Sequence, residues 1–201
     1  MNDLTPLSSP QRKSVSKEKK QYFIALPLPG ELSREITRIK DEFAERYDSR
    51  HALKLPPHIT VVAPFRAPVD LEQLLLGALA GLAAAQAPFP VYLEGFGSFR
   101  HGDARVIFIG VAKSDRLQRL HNDLLALFTE TAPGLKLRAD IPFHPHLTIA
   151  HRDLSAITFE KAWPAYQDKQ LRADFEAARM ILFRHDGQRW HPLQSYAFTR
   201  R

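Results

Sequence analysis

Two hydrophobic periods alternate along the chain. From Tyr22 the run YFIALPLP is apolar and aromatic and is closed by Pro27 and Pro29, which predicts a first strand. Leu32, Ile36, Ile39 and Phe43 then recur at steps of four, three and four, with Arg34, Glu35, Arg38, Lys40 and Asp41 on the other face. That pattern predicts an amphipathic helix from about Glu31 to Tyr47. The β-branched run HITVVAPF predicts a strand from about His58 to Ala63. Asp70 fits the N-cap of a second helix carrying Leu71, Leu74, Leu75, Ala78, Leu79 and Leu82, extended to Ala87 and stopped by Pro88. FPVYLEGFGSF and RVIFIGVA read as two strands around a turn at His101, Gly102 and Asp103. Ser114 caps a third helix with Leu117, Leu120, Leu124, Leu127 and Phe128 in step, ending near Pro133 and Gly134. The remaining third holds FHPHLTIAHR, a short helix around Phe159 to Gln167, and two strands, LRADFEAARMILFRH and QRWHPLQSYAFT, joined by a hairpin at Asp186 and Gly187. Helices and hairpins interleave, so the fold class expected is α+β with mixed or antiparallel sheets.

Composition narrows the chemistry. The chain has 201 residues, 44% apolar and 25% charged, enough for one domain with a sizeable core. It contains no cysteine, which excludes disulfides, thiolate zinc sites, iron–sulfur clusters and cysteine nucleophiles. No apolar run approaches the roughly 20 residues of a membrane span, and the N-terminus has no apolar core of the secretory kind, so no membrane association and a cytoplasmic location are expected. Half of the net charge of +6 sits in residues 1–20, where Arg12, Lys13, Lys17, Lys19 and Lys20 face Asp3 and Glu18. This stretch is expected to be a disordered basic tail, with a single folded domain over 21–201. The body then carries too little charge for a duplex-wrapping surface, while a preference for anionic ligands survives.

The chemistry concentrates in a repeat. PPHITVVAPF holds His58 and Thr60, and HPHLTIAHR holds His146 and Thr148, 88 positions later. Both read Pro, His, aliphatic, Thr. In a strand, residues i and i+2 lie about 6.8 Å apart on one face, so each imidazole has a hydroxyl beside it while Ile59 and Leu147 point to the opposite face. A single His-x-Thr triplet is a common accident; two in matching contexts point to one shared site.

On these residues the chain resembles the 2H phosphoesterase superfamily, whose mark is two His-x-Thr/Ser motifs in the two halves of a chain near this length, and most of all its bacterial 2'-5' RNA ligase-like branch. The resemblance runs from about Tyr22 to Thr199, through the YFIAL strand, PPHIT and FHPHLTIAHR. It implies two pseudo-symmetric β-sheet lobes with flanking helices around a central cleft. It implies His58 and His146 as catalytic residues and Thr60 and Thr148 as phosphate binders. The activities implied are opening of 2',3'-cyclic nucleotide phosphates, hydrolysis of ADP-ribose cyclic phosphate, 2'-5' ligation or cleavage of RNA, and trimming of RNA ends. The expected partner is a nucleotide or RNA end, the expected state a monomer, and no cofactor or metal is called for. The residue chemistry agrees, because two imidazoles with ordinary pKa near 6.5 suffice for a base and an acid, and hydroxyls can donate to phosphoryl oxygens. Which ring is base and which acid stays open.

Substrate-rim candidates are Lys54, four positions before His58, Phe65, Arg105 at the opening of RVIFIGVA, and Arg152, six positions after His146. Two rival readings use the same region. His144, His146 and His151, with Asp153 nearby, could be read as zinc ligands, but in a regular strand His151 points away from His146. Tyr22, Phe65 and Phe143 with scattered cations could instead form a non-catalytic module for single-stranded RNA or nucleotides. Serine-hydrolase and P-loop readings lack their motifs.

Overall fold

The computed structural model describes residues 18–101 and 103–200. Its elements run β1 (Lys19–Pro27), α1 (Gly30–Tyr47), a 3-10 turn (His51–Lys54), β2 (His58–Pro68), α2 (Glu72–Ala84), β3 (Phe89–His101), β4 (Ala104–Val111), α3 (Asp115–Thr131), β5 (His146–Ala150), α4 (Ala156–Ala162), β6 (Arg172–Ala177), β7 (Arg179–His185) and β8 (Trp190–Ala197). The strands make two four-stranded sheets, ordered β2-β1-β7-β8 and β5-β4-β3-β6. Every pairing is antiparallel. The α+β class with two sheet lobes is what the structure shows.

The two His-x-Thr strands, β2 and β5, are the outer strands of their respective sheets, and they pack against each other where the lobes meet. Parity sets their faces. Ile59, Val61, Leu147 and Ile149 are buried, while His58, Thr60, His146 and Thr148 on the alternate positions remain half-exposed. One continuous apolar core joins residues of both sheets and all four helices, among them Ile24, Ile36, Leu79, Ile109, Leu124 and Phe159. The motif strands are therefore held by their apolar faces, and the polar faces are free to line a cleft.

Local signals explain two of the four helix starts. Ser114 Oγ accepts from the Leu117 amide at 3.3 Å, and Ser155 Oγ accepts from the Thr158 amide at 3.1 Å, satisfying donors that the first turn leaves open. The Asp186–Gly187 hairpin forms with Gly187 at φ 107°, and Asp186 Oδ1 accepts from the amides of Gln188 and Arg189 at 2.7 Å each.

Several expectations are corrected. Asp70 is not the N-cap of α2: it lies inside a 3-10 turn, Val69–Leu71, and the helix begins at Glu72 with Leu71 as cap residue. The run LRADFEAARMILFRH is two strands, β6 on β3 and β7 on β1, with only Ala178 between them as the chain crosses from one sheet to the other. The short fourth helix starts at Ala156, three residues earlier than expected, because Ser155 caps it. Lys40 does not lie on the polar face of α1. It is 3% exposed on the buried stripe with Ile36, Phe43 and Ala44. The basic tail ends sooner than residue 20, since Lys19 and Lys20 already pair with Pro68 and Ala67 in β1. Residues 1–17 of that tail, and Gly102 of the β3–β4 turn, lie outside the described residues.

Candidate active site

The two histidines are held in the same way. His58 Nδ1 is 2.8 Å from the Pro56 carbonyl oxygen, and His146 Nδ1 is 2.8 Å from the His144 carbonyl oxygen. A carbonyl only accepts, so Nδ1 carries the hydrogen in both rings, and Nε2 is the nitrogen left with a lone pair when the ring is neutral. Each acceptor sits two residues back across a proline, Pro57 or Pro145. Proline's fixed φ keeps that segment extended. The local sequence therefore dictates both the tautomer and the ring direction.

The surroundings differ. The His58 ring packs against Phe23 at 5.4 Å and Phe183 at 6.1 Å, with Phe23 in turn stacked on Phe183 and met edge-on by Trp190. Burial pushes His58 down to about 4, helped by the positive charges of Lys40 and His146 and opposed by the Pro56 carbonyl. The His146 ring lies against Phe99 at 5.0 Å and Phe108 at 5.2 Å. Burial lowers it too, with the His144 carbonyl opposing and the His144 ring adding to the effect.

His58, Thr60 and Thr148 line one cavity of about 230 Å³ with Lys40, Lys54, Arg152 and Trp190. Thr60 and His146 line a second, of about 470 Å³, with Phe99, His121, Phe143, His144 and Arg138. Thr60 belongs to both, so the two hollows meet at the motif strands. One is cationic. The other is largely apolar and holds a stacked pair, His121 on Phe143 at 4.1 Å and 4°, fixed by the His121 Nδ1 contact to the Val61 carbonyl oxygen at 2.7 Å.

Two of the four rim candidates are placed at the cleft: Lys54 and Arg152 line the first cavity. Phe65 is corrected. It is 3% exposed, stacked on Tyr22 and packed on Phe128, because β2 runs on to Pro68 and turns that ring into the core. Arg105 is half-buried at the start of β4, beside the β3–β4 turn, and lines neither cavity. Tyr22 is also a core residue, with its hydroxyl donating to Glu72 at 2.9 Å. That leaves the RNA-binding rival only Phe143 of its three aromatics. For the zinc rival, His144 and His146 share the second cavity while His151 lies on the first, and among the described residues no three His, Cys, Asp or Glu side chains gather around one point.

Residues that the sequence did not single out also line the first cavity, Lys40, His51, Arg189 and Trp190, together with His151, which the sequence offered only as a zinc ligand. Lys40 Nζ donates to the carbonyls of Ala52 at 3.1 Å and Leu55 at 3.2 Å, tying α1 to the turn that leads into β2. Its burial lowers it to about 8. A signal existed for Lys40, four after Ile36 and three before Phe43. None existed for the loop residues.

Comparison with known proteins agrees with this architecture. A profile described as the 2'-5' RNA ligase superfamily matches residues 28–189, and the chain belongs to that family, a branch of the 2H phosphoesterases. The chain is 31% identical over 137 residues to a Geobacillus stearothermophilus protein named RNA 2',3'-cyclic phosphodiesterase, covering 67% of this chain and 43% of that one. A Geobacillus kaustophilus protein, provisionally named a phosphoesterase, is 35% identical over 120 residues, 58% of this chain and 64% of its own length. The chain thus spans less than two thirds of these relatives. Among solved structures, the Thermus thermophilus protein TT0787 superposes with a TM-score of 0.69 at 22% identity over 89% of this chain and 98% of that one. Escherichia coli LigT complexed with 3'-AMP gives 0.66 at 22% identity over 91% and 100%. These likenesses establish the fold.

Proposed function

We propose that this phosphoesterase opens 2',3'-cyclic phosphates on a nucleotide or RNA end, with His58 and His146 as an acid–base pair. The observation that carries the reading is the matched pair of Nδ1 contacts, which leaves Nε2 of both rings as the nitrogen free for chemistry where two hollows meet. One Nε2, in a neutral ring, takes a proton from water as its oxygen attacks phosphorus. The other, in a protonated ring, gives its proton to the ribose oxygen that leaves, so the P–O bond to water forms as the ring P–O bond breaks. Thr60 and Thr148 donate to the non-bridging oxygens as negative charge builds on them. Both rings are depressed by burial, and a phosphate anion between them is the charge that restores a proton to one. This scheme needs imidazoles and hydroxyls only. The names of the Geobacillus stearothermophilus relative and of the LigT complex with 3'-AMP support the substrate class.

The test is a panel of 2',3'-cyclic mononucleotides, ADP-ribose cyclic phosphate, and RNAs with 2'-5' linkages or cyclic-phosphate ends, assayed in EDTA. Turnover of at least one cyclic phosphate is expected. Binding without turnover of any of them contradicts the proposal and favours the binding module.

A further inference from the structure

The first cavity is lined by more than the motif residues, and much of the rest of its lining is cationic or imidazole. His51 and Lys54 come from the 3-10 turn before β2, His151 and Arg152 from the segment after β5, and Arg189 from the β7–β8 turn. Three separate parts of the chain thus aim cations or imidazoles at one hollow. Among the described residues no carboxylate lines it.

The acids nearby are turned to other work. Asp153 accepts from Ser49 Oγ at 2.8 Å, the Arg50 amide at 2.7 Å and the His51 amide at 2.6 Å. It thereby clamps the turn before β2 to the segment after β5 and sets the His51 ring edge-on to His151 at 4.8 Å. Asp186 is engaged by the Gln188 and Arg189 amides and by His191 Nε2 at 2.6 Å. Arg152 stands at φ 61°, a conformation that a non-glycine residue adopts at some cost and that here follows directly on His151. Burial, then the neighbouring cations, hold both His51 and His151 below the usual histidine range, with the Asp153 carboxylate opposing.

We propose that His51, Lys54, His151, Arg152 and Arg189 form a second phosphate subsite beside the reacting one, which takes the 5'-phosphate of the nucleotide whose 2',3'-phosphate lies between His58 and His146. This rests on the reading of the motif pair as the phosphate site. The ligand class is a nucleotide with phosphate on both sides of one ribose, as at a 5'-phosphorylated nucleotide or the last residue of an RNA. Guanidinium and ammonium groups around a concave wall suit such a dianion, and the attraction weakens with salt because Lys54, Arg152 and Arg189 are exposed.

The experiment is calorimetric titration of the full chain with adenosine 3',5'-bisphosphate and with adenosine 3'-monophosphate at low salt. The bisphosphate is expected to bind at least tenfold more tightly. The double variant Arg152→Ala/Arg189→Ala, at exposed positions, should bring the two ligands to within about threefold of each other, and Lys54→Ala alone should narrow the gap, which keeps the test open if the double variant folds poorly. Equal binding of the two ligands by the wild type, or a gap that survives in both variants, overturns the subsite. Since binding is read without turnover, an inactive but discriminating protein would contradict the catalytic proposal and leave the subsite standing.

Discussion

The strands β2 and β5 carry the same triplet and orient it with the same 2.8 Å Nδ1 contact, yet they serve different walls of the cleft. His58 is backed by Phe23 and Phe183 and opens on the cationic cavity; His146 is backed by Phe99 and Phe108 and opens on the apolar one. The comparison teaches that the orienting geometry is duplicated while the surroundings are divided. Under the proposed function, a matched acid–base pair would meet an asymmetric substrate, with its phosphates toward the cationic cavity and its base toward the apolar one, both of which are lined from both sheets.

The hydroxyls give the strongest contrast. Thr60 lines both cavities and Thr148 only the first. Replacing either by alanine should cost roughly 10²- to 10³-fold in kcat, the scale of one charge-stabilising donor, with Thr60→Ala toward the upper end. Steady-state rates on whichever cyclic phosphate the protein cleaves check this, and a Thr60→Ala variant milder than Thr148→Ala would place the reacting phosphate away from the junction.

A stability difference follows next. His146 is paired across the ladder with Gly110, where an added Cβ would meet the Glu94 carbonyl oxygen at 2.6 Å, a backbone atom that cannot swing away. Gly110→Ala should destabilise the protein by about 1–3 kcal/mol. Thermal unfolding should show a loss of several degrees, with activity falling as β5 shifts. His58 pairs with Pro27 and has no such constraint.

The smallest effect is in pH. Both rings are held below the ordinary 6.5, His58 at about 4. For a base whose folded value is depressed, the unfolded chain binds more protons between the two values, so stability is full above about 6.5 and is lost as pH falls toward 4. The same shifts place the kcat/KM bell, which reports the coupled pair in the free enzyme, on the acid side of 6.5. Bound phosphate raises both rings, so the kcat bell should lie at higher pH than the kcat/KM bell. Coincident bells would mean that the substrate's charge does not reach the pair.

The motif pair was legible in the sequence because it is local: period two puts His and Thr on one face, and the repeat marks both strands. The proline before each histidine even anticipates the extended segment whose carbonyl fixes the tautomer. What was not legible depends on long-range packing. Phe65 lies in the same apolar run as Thr60, and nothing in that run says that β2 continues and carries the ring into the core. The break at Ala178 has no turn residue to announce it. Charge alone assigns Lys40 to the solvent face, although its spacing from Ile36 and Phe43 puts it on the buried stripe, where two backbone carbonyls receive its ammonium. His51 and His151 meet only because Asp153 clamps two loops about a hundred positions apart in sequence, and coil residues carry no period.

The central claim, that the two motifs are one catalytic unit, is tested most directly by a cycle of His58→Ala, His146→Ala and the double variant, with turnover of the cleaved cyclic phosphate measured in EDTA. Each single substitution should cost about 10²- to 10⁴-fold in kcat, as expected for loss of a positioned acid or base. The double variant should be little worse than either single, because half of an acid–base pair does not deliver half the catalysis. Near wild-type turnover by either single variant, or losses that multiply fully in the double, would contradict it.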